Sequence, residues 1–158
     1  MSRKRILFIC LGNICRSPTA EGIFRHQLAQ RKLDDRFDAD SAGTGDWHIG
    51  SPPDRRAQLA AVSRGFDISD LRARQVQRSD FEDFDYLLAM DRGNHQELCR
   101  QAGSDQLHKV RLLMEFARLA GEEEVPDPYY GGDSGFDRVI DLIEAASSGL
   151  IEHLLRDK

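Results

Sequence analysis

Cys10 and Arg16 are separated by five residues in the stretch Cys10-Leu11-Gly12-Asn13-Ile14-Cys15-Arg16-Ser17. A thiol becomes a nucleophile near neutral pH when amide dipoles or a cation favour its thiolate. A guanidinium presents a planar fork that grips two phosphate oxygens at once. The stretch follows the apolar run Ile6-Leu7-Phe8-Ile9 and precedes Ser17-Pro18-Thr19-Ala20-Glu21, which has the character of a helix start. A strand-to-helix turn of this kind aims several N–H groups and a helix N-terminus at one point, which favours an anion. The N–H groups of Leu11, Gly12, Asn13, Ile14, Cys15 and Arg16 are therefore the candidate cradle. Gly12 lets the backbone approach closely, and Asn13 tolerates a left-handed conformation while its amide braces the loop. Ser17 is placed to donate a hydrogen bond to the Cys10 thiolate. The whole stretch suits a phosphate dianion held against a reactive sulfur.

The elements around it follow from periodicity. Arg5 to Cys10 reads as a short, continuously apolar strand, as in the middle of a parallel sheet. Pro18 to about Arg31 reads as an amphipathic helix with Ala20, Ile23, Phe24 and Leu28 on one face and Pro18 at its first position. Phe37 to Ala42 is a weaker strand. Asp54 to Gly65 is a helix closed by its glycine. Tyr86 to Met90 is a third buried strand, and Asn94 to Ala102 a helix closed by Gly103. Lys109 to Leu113 reads as a fourth strand, although Val110 to Met114 suits a helix equally. Phe136 to Leu155 is a long helix carrying Val139, Ile140, Ile143, Ala146, Leu150, Ile151 and Leu154. The run Glu122-Glu123-Glu124 reads as a solvated turn. Arg55-Arg56 and Arg72 with Arg74 are either a solvated face or a local basic cluster. The alternation predicts an α/β fold, a doubly wound parallel sheet with helices on both faces. Ligands in such sheets bind beyond the carboxyl ends of the strands, which is where Cys10 falls.

Bulk properties set the outer limits. A chain of 158 residues suffices for one domain, over 1–158, with a proper core. A net charge of −5 disfavours nucleic acid as a partner. No segment is long enough to span a membrane, and the basic start lacks the pattern of a signal peptide. Three cysteines, an odd number, argue against a secreted disulfide scaffold and for the cytoplasm. The five histidines have no metal-ligand spacing, so neither a metal nor another cofactor is expected. No glycine-rich nucleotide loop is present. Gly132-Asp133-Ser134-Gly135 mimics the nucleophile segment of chymotrypsin-like proteases, but that architecture is all-β and usually disulfide-bonded.

The segment over residues 10–21, Cys-Leu-Gly-Asn-Ile-Cys-Arg-Ser-Pro-Thr-Ala-Glu, resembles the phosphate loop of the low-molecular-weight protein tyrosine phosphatases. Asp40-Ser41-Ala42-Gly43-Thr44, Trp47-His48-Ile49-Gly50, Asp54-Arg55-Arg56-Ala57, Ala73-Arg74-Gln75, Asp85-Tyr86-Leu87-Leu88-Ala89-Met90-Asp91 and Asp127-Pro128-Tyr129-Tyr130 resemble further family segments in the family's order. The resemblance implies a sheet of four strands in the order 2-1-3-4. It implies hydrolysis of phosphotyrosine in proteins or peptides through a cysteinyl-phosphate on Cys10, with inorganic phosphate as product. Asp127 is then the leaving-group acid and later the base for water, a role that an Asp-Pro pair alone, ordinarily a turn, would not suggest. Asp54 and Asp91 support the loops, and Trp47, Tyr129 and Tyr130 wall a deep aromatic cleft. A monomer is expected. One departure stands at Leu71, a position often occupied by histidine in the family, where it supports the loop serine.

Two other functions share parts of this pattern. Arsenate reduction on the same fold starts from the same Cys-x5-Arg loop, but needs thiols to relay oxidation. A non-catalytic reader of phosphotyrosine or another oxyanion would need neither Cys10 nor Asp127. Cys15 has two readings: an apolar filler beneath the cradle, or a resolving thiol that traps oxidised Cys10 as a disulfide.

Overall fold

The strand that ends at Cys10 is buried over its last five residues, because apolar side chains alternate to two covered faces. In the computed structural model, which describes residues 3–117, 120–129 and 134–157, this strand is β1, Lys4–Cys10. It lies between β2, Phe37–Gly43, and β3, Tyr86–Ala89, with β4, Val110–Leu112, beyond β3. All neighbouring pairs are parallel and the order is β2-β1-β3-β4, as expected. Cys10 pairs with Gly43 at the carboxyl edge.

Among the described residues, five α-helices flank the sheet: α1, Arg16–Gln30; α2, Arg55–Ser63; α3, Asp80–Asp83; α4, Arg92–Gln101; and α5, Ser134–Arg156. Ile6 and Phe8 face a large core shared with α1, α2 and α5, where Phe8 meets Phe24 edge-to-face at 5.5 Å. Leu7 and Ile9 face a smaller core with Phe81, Phe84, Leu98 and Val110, beneath α3 and α4. The period-two alternation of one apolar strand thus supplies both cores. Among the described residues, no helix is long and apolar enough to cross a membrane.

Several boundaries differ from expectation, each for a local reason. Helix α1 begins at Arg16, so Pro18 is its third residue and not its first. First-turn amides have no intrahelical acceptor, so proline sacrifices no hydrogen bond there. Helix α4 begins at Arg92, because Asp91 caps it by accepting from Asn94 N–H at 2.8 Å. Gly65, at φ +91°, lies beyond the end of α2 at Ser63. The ambiguous segment is both things at once: strand β4 runs directly into a 3-10 turn at Leu113–Phe116. The short α3 carries too few residues to show a helical period. Glu122-Glu123-Glu124 is no free turn: Glu122 pairs with Arg138, Glu123 with Arg92, and Glu124 accepts from Arg92 N–H at 2.8 Å.

Candidate active site

Cys10 closes β1 and Arg16 opens α1, so the five residues between them must turn the chain at the sheet's carboxyl edge. Asn13 adopts φ +58° in that turn, the left-handed conformation that its short polar side chain tolerates. The carbonyls of Cys10, Leu11 and Ile14 accept from the N–H groups of Thr44, Gly45 and Asp54 at 2.9, 2.9 and 2.7 Å. Gly43 makes this contact possible, since a Cβ there would sit 2.8 Å from the Leu11 carbonyl oxygen. Among the described residues, no protein acceptor engages the N–H groups of Gly12, Ile14 or Cys15. Helix α1 also has no side-chain cap. An uncapped helix start beside open amides is a site for an anion.

The Cys10 sulfur lies at the base of this turn, in a residue only 2 % exposed. Asn13 N–H donates to it at 3.2 Å, and Ser17 Oγ lies 3.0 Å away. Both contacts suit a sulfur that carries negative charge. Asn13 Nδ2 reaches Ser17 Oγ at 2.8 Å and Ser41 Oγ at 3.0 Å. Ser17 is therefore braced without help from Leu71, which packs against the large core.

Arg16 is 3 % exposed and unites three segments. Its Nη1 donates to Asp91 at 2.7 Å and to the Val125 carbonyl at 3.1 Å. Its Nη2 lies 3.7 Å from Asp127. Among the described residues, Nε and Nη2 make no protein hydrogen bond, which leaves that edge of the fork for a ligand. Burial works against the guanidinium charge, but Cys10, Asp91 and Asp127 outweigh it and hold Arg16 above its ordinary value. Asp91 thus has two tasks, capping α4 and anchoring Arg16.

Asp127 is 42 % exposed and accepts from Tyr129 N–H at 3.0 Å. Its loop is tied down at two points: Val125 N–H donates to the Met90 carbonyl at 2.8 Å, and Arg56 Nη2 to the Tyr129 carbonyl at 2.8 Å. Asp54 caps α2 and holds Arg56 through its Nε at 3.2 Å. Burial pushes the Asp54 carboxyl up, but hydrogen bonds and charge from Arg56 leave it below its ordinary value. The sequence showed Arg56 as one of a basic pair and as part of a segment resembling the family, with no role of its own; here it fastens the loop of Asp127 to α2 and stacks over Phe136 at 4.8 Å. Arg74, read from the same ambiguous pattern, bridges Asp40 and Asp80 at 3.1 and 3.0 Å.

A cavity of about 420 Å³ connects these groups, lined by the phosphate loop with Arg16, Trp47, His48, Asp127 and Tyr129. Trp47 lines this cavity and is 70 % exposed. His48 was missed as a lining residue, because a lone histidine after a tryptophan has no distinctive spacing. Tyr130 lies outside the described residues. Cys15 is a free thiol inside the large core. Burial, then the charges of Asp54, Cys10 and Asp127, push that thiol far above its ordinary value. Cys99 packs beside the smaller core, 3.7 Å from His95 Nδ1.

Known proteins resemble this chain over nearly its whole length. The chain is 45 % identical to a putative low molecular weight protein-tyrosine-phosphatase of Synechocystis sp., covering 95 % of this chain and 96 % of the relative. A crystal structure of a protein tyrosine phosphatase from Entamoeba histolytica superposes with a TM-score of 0.94 at 41 % identity, covering 97 % of each chain. A Drosophila arginine phosphatase superposes at 0.88 and 32 % identity, covering 97 % of this chain and 99 % of its own. The family model for low molecular weight phosphotyrosine protein phosphatase matches residues 5–158. With both its loops and its sheet order accounted for, the chain belongs to the low molecular weight phosphotyrosine protein phosphatases.

Proposed function

We propose that Cys10, Arg16 and Asp127 carry the hydrolysis of phosphotyrosine in this member of the family. The Cys10 thiolate attacks phosphorus, the bond to the phenol oxygen breaks, and Asp127 supplies the phenol's proton. Water then attacks the cysteinyl-phosphate while Asp127 takes its proton, and the P–S bond breaks to regenerate the thiolate and release inorganic phosphate. Arg16 and the loop amides hold the equatorial oxygens through both steps. Ser17, donating to the sulfur, makes it a better leaving group in the second. Asn13, Asp54 and Asp91 keep the two loops in register.

One observation carries the reading: the buried sulfur lies at an uncapped helix start beside Arg16, whose Nη2 is 3.7 Å from Asp127. The nucleophile side and the leaving-group side thus meet across one guanidinium. Ile14, Trp47 and Tyr129 line the cavity with apolar and aromatic surface, which suits the ring of a phenol leaving group. Phosphotyrosyl proteins are accordingly the substrate class.

The test is single-turnover trapping. Rapid acid quench with a phosphotyrosyl peptide should leave one phosphate on Cys10, and the Cys10→Ser variant should bind vanadate without turnover. Phosphoserine and phosphoarginine peptides in the same assay should turn over far more slowly. Equal turnover of the phosphoarginine peptide would overturn the substrate assignment, and hydrolysis by Cys10→Ser would overturn the mechanism.

A further inference from the structure

A second cavity, of about 670 Å³, adjoins the catalytic one, and the two share Leu11, Arg16, Trp47 and Asp127. Trp47 is thus a wall common to both, its ring seated where a Cβ on Gly45 would otherwise be. From there the second cavity reaches the α4 residues Asn94, Glu97 and Arg100. Its charges are already matched. Asp91 holds Arg16 at 2.7 Å, and Glu97 pairs with Arg100 and accepts from Gln101 at 2.7 Å. What remains open is a neutral amide. Asn94 is 4 % exposed, yet its Oδ1 has no hydrogen-bond partner. Among the described residues, no hydrogen bond engages its Nδ2 either. Gln27 Oε1 and Ser147 Oγ are also buried without partners, but of the three residues only Asn94 lines this cavity. A buried amide with nothing to bond is costly, so its place on a cavity wall points to a ligand group. Its backbone is fixed, because Asn94 N–H donates to Asp91 Oδ1 at 2.8 Å while Asp91 Oδ2 holds Arg16.

We propose that this cavity is a subsite for the polypeptide chain flanking the phosphotyrosine, and that Asn94 binds that chain through a peptide unit. The proposal rests on phosphotyrosyl proteins being the substrates. With the phosphotyrosine side chain in the catalytic cavity, the main chain stays at its mouth, where the exposed Trp47 borders the second cavity. A side-chain amide presents an acceptor and a donor in one plane, as a peptide unit does. Oδ1 accepts a peptide N–H, and Nδ2 donates to a peptide carbonyl. A charged side chain would find the opposite charges here already committed, so the neutral main chain is the better fit.

This contact lies away from the reacting atoms and is made alike with bound substrate and transition state. It therefore belongs in KM and not in kcat. It also reads the main chain, so it serves phosphotyrosyl segments of many sequences. Asn94→Ala removes the amide and keeps the backbone N–H that bonds Asp91, which leaves the cap of α4 in place.

The experiment compares two substrates. One is 4-methylphenyl phosphate, the side chain of phosphotyrosine with no peptide unit. The other is a capped pentapeptide with phosphotyrosine between pairs of alanines, which adds peptide units and no further functional side chain. Asn94→Ala should lower kcat/KM for the pentapeptide by roughly fivefold to tenfold, the scale of one or two neutral hydrogen bonds, and mainly through KM. The loss on 4-methylphenyl phosphate should be much smaller. Replacing the peptide N–H groups by ester oxygens one at a time should find a position that costs the parent a similar factor. The same ester should cost Asn94→Ala little, since enzyme and substrate changes then remove one contact. Equal losses on the two substrates would make Asn94 a structural residue and overturn the proposal. So would an ester effect that is the same with and without the Asn94 amide. Should Asn94→Ala not fold, a parent indifferent to every ester position overturns it by itself. Failure of the underlying substrate reading looks different: the parent would then not hydrolyse the pentapeptide at all.

Discussion

The two loops that meet at Arg16 are built on opposite lines. On the phosphate side, Cys10, Asn13, Arg16 and Ser17 are each 3 % exposed or less and bonded to one another or to neighbouring loops. On the leaving-group side, Asp127 and Tyr129 are 42 % and 36 % exposed, and Trp47 stands at 70 %. That side is held through its backbone, at Val125 and Tyr129, more than through its functional side chains. The difference follows from the chemistry. The phosphoryl group carries its charge through both steps, so donors that are already oriented avoid a reorganisation cost in each transition state. A leaving group must enter, depart and be replaced by water, so its side has to stay open.

The comparison breaks most completely at the sulfur. Cys10→Ser should abolish turnover of an aryl phosphate while vanadate binding remains measurable by titration. Arg16→Lys, with one ammonium in place of a fork, should lose on the order of 10²- to 10³-fold in kcat. Near-parent kinetics in the lysine variant would remove Arg16 as the clamp. The open side should be less costly and selective. Asp127→Asn is expected to lose about 10²-fold or more on phenyl phosphate, and much less on phenols acidic enough to leave unprotonated. A leaving-group series with uniform losses would make Asp127 a loop brace.

Asp91 joins the two halves, and two substitutions separate its tasks. Asp91→Ala removes both cap and ion pair, and should lower stability by about 1 kcal/mol as well as activity. Asp91→Asn keeps a good cap but loses the charge, so thermal melting should stay near the parent while kcat falls roughly tenfold. Matching stability losses in the two would mean that the ion pair, not the cap, stabilises α4.

The smallest effect on untreated enzyme is expected at Cys15. Its thiol is held protonated by burial and by nearby negative charge, Cys10 included. Oxidation of Cys10 to a neutral sulfenic acid removes part of that charge and eases ionisation of the second thiol. Condensation then forms a Cys10–Cys15 disulfide and releases water. Peroxide-treated parent should regain activity with dithiothreitol, whereas Cys15→Ser should keep measurable turnover before treatment and lose it irreversibly afterwards. Full recovery in Cys15→Ser would make Cys15 a filler of the core and nothing more.

The phosphate loop was legible because its function demands local order. Cys10, Gly12, Asn13 and Arg16 must occupy consecutive positions of one turn, and the strand and helix that frame that turn adjoin it in sequence. The sheet class followed from the same alternation of buried strands and helices. The acid loop was legible only by resemblance, since Asp127 lies over a hundred residues from Arg16 and an Asp-Pro pair has no signature of its own. Arg56, Arg74, His48 and Gly43 were not legible as site residues, because each acts on a partner far along the chain. The amino-acid sequence by itself pointed to the Cys10-to-Arg16 turn as the candidate cradle and determined the parallel sheet, for these depend on neighbours within a turn or on a period of two. Only the tertiary structure decided which carboxylates face Arg16 and which side chain fastens the loop of Asp127. Those depend on donors and acceptors meeting across separate elements, and spacing along a chain does not encode such meetings.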